Sequence, residues 1–335
     1  MPLTPESMVA DWLDHPAGGP LLRGMLAEHD QDAAALNPVR RFPMTRLVEL
    51  SDGRLSLAEL ERLAAEANAA GVEAPEPAPP LPEWQERITP GRFTGRTAVV
   101  TGAGSGIGRA TASRVAREGG RVIAADVVEQ RLDELVTALA GHEVVPVRAD
   151  ITSERDVAAL VRAADGRVDA LANVAGITDS AAPLHEVDDA TWQRIFDVNV
   201  HGMFRLSRAV LPLMLDARRG SIVNVASEAA LRGSTSGTAY TASKHAVVGI
   251  TRSAAFMYAT SGIRVNAVAP GGVATGIEGA MTSEFGRERI RPTLAALPEV
   301  AEPEHLAASI SFLLSDDAVN INGVVLPSDG GWSVH

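Results

Sequence analysis

A chain of 335 residues with 46 % apolar content can bury a full core and has room for one large domain and a smaller one. It has no cysteine, which excludes disulfides, thiolate metal sites and cysteine nucleophiles. Its formal charge of −12 argues against nucleic-acid and anionic-membrane partners, which both need a cationic surface.

The eight histidines are scattered without an i, i+4 pair, so no metal site is expected. No run approaches the roughly 18 apolar residues of a membrane span, and the first 20 residues carry Glu6, Asp11 and Asp14 where a secretory leader is basic. A cytoplasmic protein is expected.

The charge is uneven. Residues 1–90 hold 7 Arg against 15 Asp and Glu, a net of −8. Leu and Ala recur there at helical spacing, most clearly over 55–70, where Ser56 is the expected cap and Gly71 the expected stop. The pattern predicts a small helical module over 1–71, and no function follows from it. Pro75, Pro77, Pro79, Pro80 and Pro82 then favour an extended, semi-rigid chain, so 72–92 reads as a linker and 93–335 as the catalytic domain.

From Thr97 onward, short β-branched runs alternate with longer amphipathic stretches, the pattern of a Rossmann-type, doubly wound parallel α/β sheet. Strands are predicted near 97–101, 121–125, 144–147, 168–172, 221–225, 263–268 and 324–326. Helices are predicted near 107–119, 129–140, 153–164, 188–216, 238–260 and 303–314. Ligands of such sheets bind beyond the carboxyl ends of the strands, which directs attention to the residues just after each one.

After the first strand comes Thr101-Gly102-Ala103-Gly104-Ser105-Gly106-Ile107-Gly108, opening a helix. Glycines let the backbone approach a pyrophosphate, and the N–H groups and positive end of the helix stabilise its charge. The second strand ends on Asp126, where a carboxylate can accept from an adenosine ribose and would repel a 2′-phosphate. No Arg or Lys stands between Thr101 and Gly108, and Val127 and Val128 follow the aspartate, so NAD is expected over NADP.

Of 30 basic residues, Lys244 is the sole lysine, and it lies four residues after Tyr240, one of two tyrosines. That spacing puts both on one helix face. Hydride transfer to a ketone leaves an alkoxide that needs a proton; a phenol can give it, and a neighbouring ammonium favours the phenolate left behind. A lysine offers a compact charge with rotatable donors where an arginine presents a rigid fork.

These motifs resemble those of the short-chain dehydrogenase/reductase family over residues 95–333, with the glycine motif at Thr101–Gly108 and the active-site motif at Tyr240-Thr241-Ala242-Ser243-Lys244. The resemblance implies interconversion of a secondary alcohol and a ketone, with Tyr240 as general acid/base and Ser227 holding the substrate oxygen. It implies that Asn199 holds a water that links Lys244 to solvent. The family's Asn-Asn-Ala-Gly segment stands here as Asn173-Val174-Ala175-Gly176, a departure that leaves Asn173, Ala175 and Gly176 to shape the cofactor floor. Asp150 and Ile151 match the adenine contact, and Pro270-Gly271-Gly272-Val273-Ala274-Thr275 the segment that holds the nicotinamide carboxamide, with Pro270, Gly271, Val273 and Thr275 expected at the cofactor.

The variable substrate lid of the family corresponds to 276–298, where Ile277, Met281, Phe285 and Ile290 read equally as pocket walls or as the core of a lid helix. Glu228 and Arg232, at i, i+4, read as a surface ion pair. The family also implies a homotetramer or dimer built through the 188–216 and 238–260 helices. Two other readings stay open: a reductase of carrier-tethered 3-oxoacyl thioesters, and a cofactor-sensing or scaffold protein that keeps the fold without turnover. The substrate and the physiological direction do not follow from the residues.

Overall fold

The computed structural model describes residues 2–28, 33–51, 55–70, 84–275 and 281–334. The chain divides into two compact units, Met1–Gln85 with Leu297–Val300, and Glu86–Ala296 with Ala301–His335.

The first unit is helical: α1 (Val9–Asp14), α2 (Gly18–Glu28), a 3-10 segment (Ala33–Val39), α3 (Met44–Leu50) and α4 (Leu57–Ala69). Trp12, Leu22, Met44 and Leu60 are fully buried in its core. Ser56 caps α4, as expected, and does so in a reciprocal box with Glu59, in which each side chain satisfies a backbone N–H at the helix start. Asn68 closes the unit by pairing with both backbone groups of Leu3 at 2.8 Å. Leu297–Val300 is held in the same unit by Val300 N–H donating to Pro38 O at 2.7 Å and by the Arg41–Glu299 ion pair. Gly71 and the five prolines lie outside the described residues.

The second unit is the expected doubly wound sheet. It runs β1 (Thr97–Thr101), α5 (Gly106–Arg117), β2 (Arg121–Asp126), α6 (Glu129–Ala138), β3 (Val144–Arg148), α7 (Glu154–Ala163) and β4 (Ala170–Asn173). It continues through α8 (Asp189–Phe196), α9 (Met203–Ala217), β5 (Gly220–Val225), α10 (Thr238–Tyr258) and β6 (Ile263–Pro270). It ends with α11 (Glu284–Ala295), α12 (Pro303–Leu314) and β7 (Val325–Ser328). All pairings are parallel, in the order β3-β2-β1-β4-β5-β6-β7. The order reverses between β1 and β4, which opens a crevice beyond their carboxyl ends.

Every residue of β1 is buried, as a strand covered on both faces requires. Ala98 and Val100 pack with α5, α6 and α12, while Val99 packs with α7 and α9, because successive side chains point to opposite faces. Ahead of β1, Glu86 pairs with Arg114 and Arg117 of α5, and Thr89 N–H donates to the buried Glu118 at 3.1 Å. The part of the expected linker from Glu86 onward is thereby fastened to this unit.

One expectation fails in detail. The continuous helix over 188–216 is broken by a π-turn, Asp197–Gly202, between α8 and α9. Periodicity cannot register one extra residue per turn, and such turns commonly re-aim a side chain at a functional site.

Candidate active site

Gly102 takes the left-handed conformation (φ +67°) that turns the chain out of β1, and a Cβ on Gly108 would lie 2.0 Å from Gly102 O, so both positions require glycine. Ser105 stands at the N-cap of α5 with extended backbone and no side-chain cap, leaving the first N–H groups of the helix to an incoming anion. Thr101 Oγ1 accepts from Val174 N and Ala175 N at 2.9 and 3.0 Å, tying the end of β1 to the loop after β4.

These segments border a cavity of about 230 Å³. The structure brings Gly102, Ser105, Gly106, Ile107, Gly108, Ala175, Gly176, Ser227, Tyr240, Lys244, Pro270, Gly271, Val273 and Thr275 onto its walls, fourteen residues singled out from motifs far apart in the chain. Val174, Val225 and Ala226 line it as well. Val174 is the residue that departs from the family segment, and Val225 and Ala226, as apolar wall residues, look like core in a sequence.

Other expected residues stand behind the walls. Asp126 is buried at the end of β2, its carboxylate accepting from Gly104 N at 2.9 Å and Val128 N at 3.0 Å. Arg131 of α6 flanks the same turn, since a Cβ on Gly104 would lie 2.8 Å from Arg131 Cβ. Arg131 lies one helical turn past Val128, beyond the two residues that directly follow the aspartate. Asp150 accepts from Thr152 in a local turn, and Ile151 is buried against Gly202. Asn173 points under the sheet end, donating to Ser207 Oγ and Asn224 Oδ1 at 3.0 and 2.8 Å.

At the opposite end of the cavity, α10 carries Tyr240 and Lys244. Lys244 Nζ is buried, donates to Val225 O at 2.9 Å and lies 5.5 Å from the Tyr240 ring centre. Burial lowers the lysine from its ordinary 10.5 to about 8. Burial also holds the Tyr240 phenol above its ordinary 10; the Ser227 hydroxyl opposes that rise and the Asp179 charge adds to it. Desolvation thus works against the draw toward the anion expected of Lys244.

The π-turn presents Asn199 to the loop after β4. Its side chain accepts from Ile177 N and donates to Ile177 O, both at 2.9 Å, and donates to Ser243 Oγ at 3.1 Å. A Cβ on Gly176 would sit 3.2 Å from Asn199 Oδ1 and 3.4 Å from Lys244 Nζ, so the chain passes closely between them.

Glu228 and Arg232 are not a surface pair. Glu228 is only 1 % exposed, and Arg232 bonds it while donating to Trp332 O at 2.8 Å and stacking on the Trp332 ring. The turn after Ser227 tucks Glu228 inward, an orientation that helical spacing cannot convey. Trp332 Nε1–H in turn donates to Thr293 O of α11 at 3.1 Å, so this network pins the lid helix. Ile290 is the buried face of that helix, Met281 and Phe285 are exposed, and Ile277 lies outside the described residues. Trp332→Phe, which keeps an aromatic ring and removes the indole N–H donor, should speed amide hydrogen exchange of α11 several-fold while leaving β1 and β4 protected.

The profile of the family described as short chain dehydrogenase matches residues 96–285. This chain belongs to the short-chain dehydrogenase family. The cis-4-hydroxycyclohexanecarboxylate dehydrogenase of Sinomonas cyclohexanicum is 43 % identical over 249 residues, 72 % of this chain and 98 % of that one. The 3beta-hydroxysteroid dehydrogenase 2 of Eggerthella lenta is 41 % identical over 251 residues, 72 % of this chain and 96 % of that one. The crystal structure of levodione reductase superposes with a TM-score of 0.66 at 35 % identity, covering 72 % of this chain and 99 % of that one. This short-chain dehydrogenase is thus an oxidoreductase acting on CH–OH groups and using a nicotinamide cofactor, and it interconverts a secondary alcohol and a ketone.

Proposed function

We propose that this short-chain dehydrogenase acts on a small molecule whose secondary alcohol or ketone sits on a ring, with NAD(H) as cofactor and Tyr240 as the acid/base. The convergence of Ser227, Tyr240 and Lys244 on a cavity whose other end is the glycine loop carries the reading. The relatives named for a hydroxycyclohexanecarboxylate and a hydroxysteroid support the ring-borne substrate.

The residues present fit a dinucleotide. The uncapped start of α5, with Gly102, Ser105, Gly106, Ile107 and Gly108, would hold the pyrophosphate. Asp126, Asp150 and Ile151 would meet the adenosine end. Asn173 braces the floor made by Ala175 and Gly176, and Pro270, Gly271, Val273 and Thr275 would hold the nicotinamide end. When bound, the nicotinamide supplies or accepts the hydride.

The protein's own part is proton transfer and orientation. Ser227 Oγ–H donates to the substrate oxygen and stabilises the charge that develops there. Tyr240 Oη, a phenol at neutral pH, gives its proton to the nascent alkoxide in reduction and takes it back in oxidation. The Lys244 ammonium stabilises the phenolate between turnovers, and Asn199 fixes the loop at Ile177 that closes the site from behind.

The Asp126 carboxylate supports NAD over NADP, while Arg131 beside the same turn is the group that would meet a 2′-phosphate. Asp126→Ala should weaken NADH binding and improve NADPH binding, each by about tenfold, read by cofactor fluorescence. An unchanged preference would reduce Asp126 to a latch for Gly104. A pyridine-nucleotide-dependent activity is in keeping with the cytoplasmic protein expected from the sequence. Phe204 on α9 and Phe256 and Met257 on α10, all exposed, support a homotetramer or dimer through these helices. Among the described residues no helix is long and apolar enough to cross a membrane.

The test is oxidation of NADH and NADPH by the full chain with 4-oxocyclohexanecarboxylate, levodione, a 3-oxosteroid, a keto-sugar and a 3-oxoacyl thioester. Turnover confined to the ring ketones supports the proposal. Turnover of the thioester would favour a tethered substrate, and NADH binding without turnover would favour a sensing role.

A further inference from the structure

The loop after β4 carries a buried carboxylate that none of the motifs accounts for. Asp179 is 7 % exposed, and its side chain reaches the start of α10, the helix that carries Tyr240 and Lys244. Oδ1 accepts from Gly237 N at 3.2 Å and from Ala181 N at 3.1 Å, and Oδ2 accepts from Tyr240 N at 2.9 Å. Gly237 is the N-cap of α10 and has no side chain with which to cap it. A Cβ there would lie 2.4 Å from Asp179 Oδ1, so the carboxylate from 58 residues earlier occupies the space of the missing cap. Thr238 N–H donates to Ala182 O at 3.0 Å, which seats the same loop on the same helix end. On its other side the loop holds Ala181 in the left-handed region (φ +60°), where a Cβ on Gly286 of α11 would lie 1.9 Å from Ala181 O. One short loop therefore touches the helix that bears the phenol and the helix of the lid.

We propose that Asp179 is a positioning residue for the reaction: its carboxylate is the distant cap of α10, sets the depth at which Tyr240 enters the cavity, and places one negative charge behind the phenol. The proposal rests on the role given above to Tyr240. An amide in its place has one acceptor oxygen and would turn an NH₂ group toward the backbone N–H groups now bound, so an isosteric change removes both the charge and part of the cap.

Among the described residues, the other charged groups on elements packed against α10 are bonded or exposed, Arg264 of β6 donating to Leu313 O and Ser315 O. Lys244 lies on its own helix. The π-turn packed against α10 brings Asp197 and His201, which pair with each other at 2.9 Å, and the turn after β5 brings Glu228, which pairs with Arg232. On α8, Asp189 and Arg194 are exposed. Asp179 adds to the rise of the phenol above its ordinary value, behind the larger contribution of burial.

The chain has two tyrosines, so Tyr258→Phe leaves Tyr240 as its one phenol, and near-ultraviolet phenolate absorbance of that variant titrates it with no substrate present. In that background Asp179→Asn should lower the phenolate midpoint by about one pH unit, and Asp179→Glu, which keeps the charge, should restore most of it. Reduction of the best ketone of the panel should fall about tenfold in the Asn variant, with NADH affinity within about twofold of the parent. Gly237→Ala, which displaces the carboxylate without removing it, should lower the midpoint in the same direction and carries the test if the Asn variant does not fold. A folded Asn variant with the parent's midpoint, Asn and Glu variants that shift alike, or a Gly237→Ala chain that titrates like the parent would each overturn the proposal. A failure of the Tyr240 assignment would show separately, as turnover that survives Tyr240→Phe.

Discussion

Tyr240→Phe should lower turnover of the best ketone by about a thousandfold or more, with NADH affinity and thermal midpoint close to those of the parent. The substitution removes one oxygen from a side chain that lines the cavity and leaves the ring, α10 and the Lys244 bond to Val225 O in place. The backbone contact from Asp179 reaches Tyr240 N and is untouched as well. What disappears is the phenolic proton, for which the cavity offers no substitute: the Ser227 hydroxyl is a far weaker acid, and the Lys244 ammonium is turned to Val225 O. Steady-state rates with NADH binding by fluorescence decide it. Residual turnover above about one tenth would move the acid/base role to another group.

Lys244→Arg should lose nearly as much turnover and destabilise the fold, whereas Lys244→Met should lose turnover and gain stability. The ammonium is 4 % exposed, bonded to Val225 O, and walled by the backbone at Gly176. A planar guanidinium is longer and needs several acceptors in one plane, so it overpacks this site. Methionine fills similar space with no charge to desolvate.

The lysine value of about 8 in the folded chain lies below 10.5 in the unfolded one. The unfolded state therefore binds more protons between these values, and stability of the parent rises with pH across that window. Below about pH 8 the buried ammonium costs on the order of 3 kcal/mol, a cost that vanishes above the unfolded value and that the Met variant never bears. Thermal midpoints of parent and Met variant should thus converge as pH rises from about 8 to 10.5. Parallel curves would mean that Lys244 is charged at no cost. The reading accords with a site that trades stability for function.

The π-turn, the Asp179 cap and the Glu228–Arg232–Trp332 network carry no local sequence signal. A π-turn depends on which backbone bond closes across Asp197–Gly202, and the same apolar spacing serves an unbroken helix. Asp179 lies three residues past the Asn173–Gly176 motif and belongs to no motif itself, and its partners are backbone N–H groups at 181, 237 and 240, which carry no side-chain signature. Glu228 and Arg232 have the spacing of a surface pair, and only the packing of Trp332 over the arginine buries them.

The doubly wound sheet, the family, and the glycine, serine, tyrosine and lysine positions that line one cavity are legible in the residues alone. Those features rest on local chemistry: strand and helix periods, glycines where no Cβ fits, and a lone lysine four residues after a tyrosine. Which polar groups brace that cavity from behind, how burial raises the Tyr240 phenol and lowers Lys244, and what holds the lid helix emerge from the folded chain alone. Each of those depends on groups tens of residues apart meeting out of water, where the strength of a charge or hydrogen bond is set by its surroundings, and one residue's neighbours in sequence do not specify those surroundings.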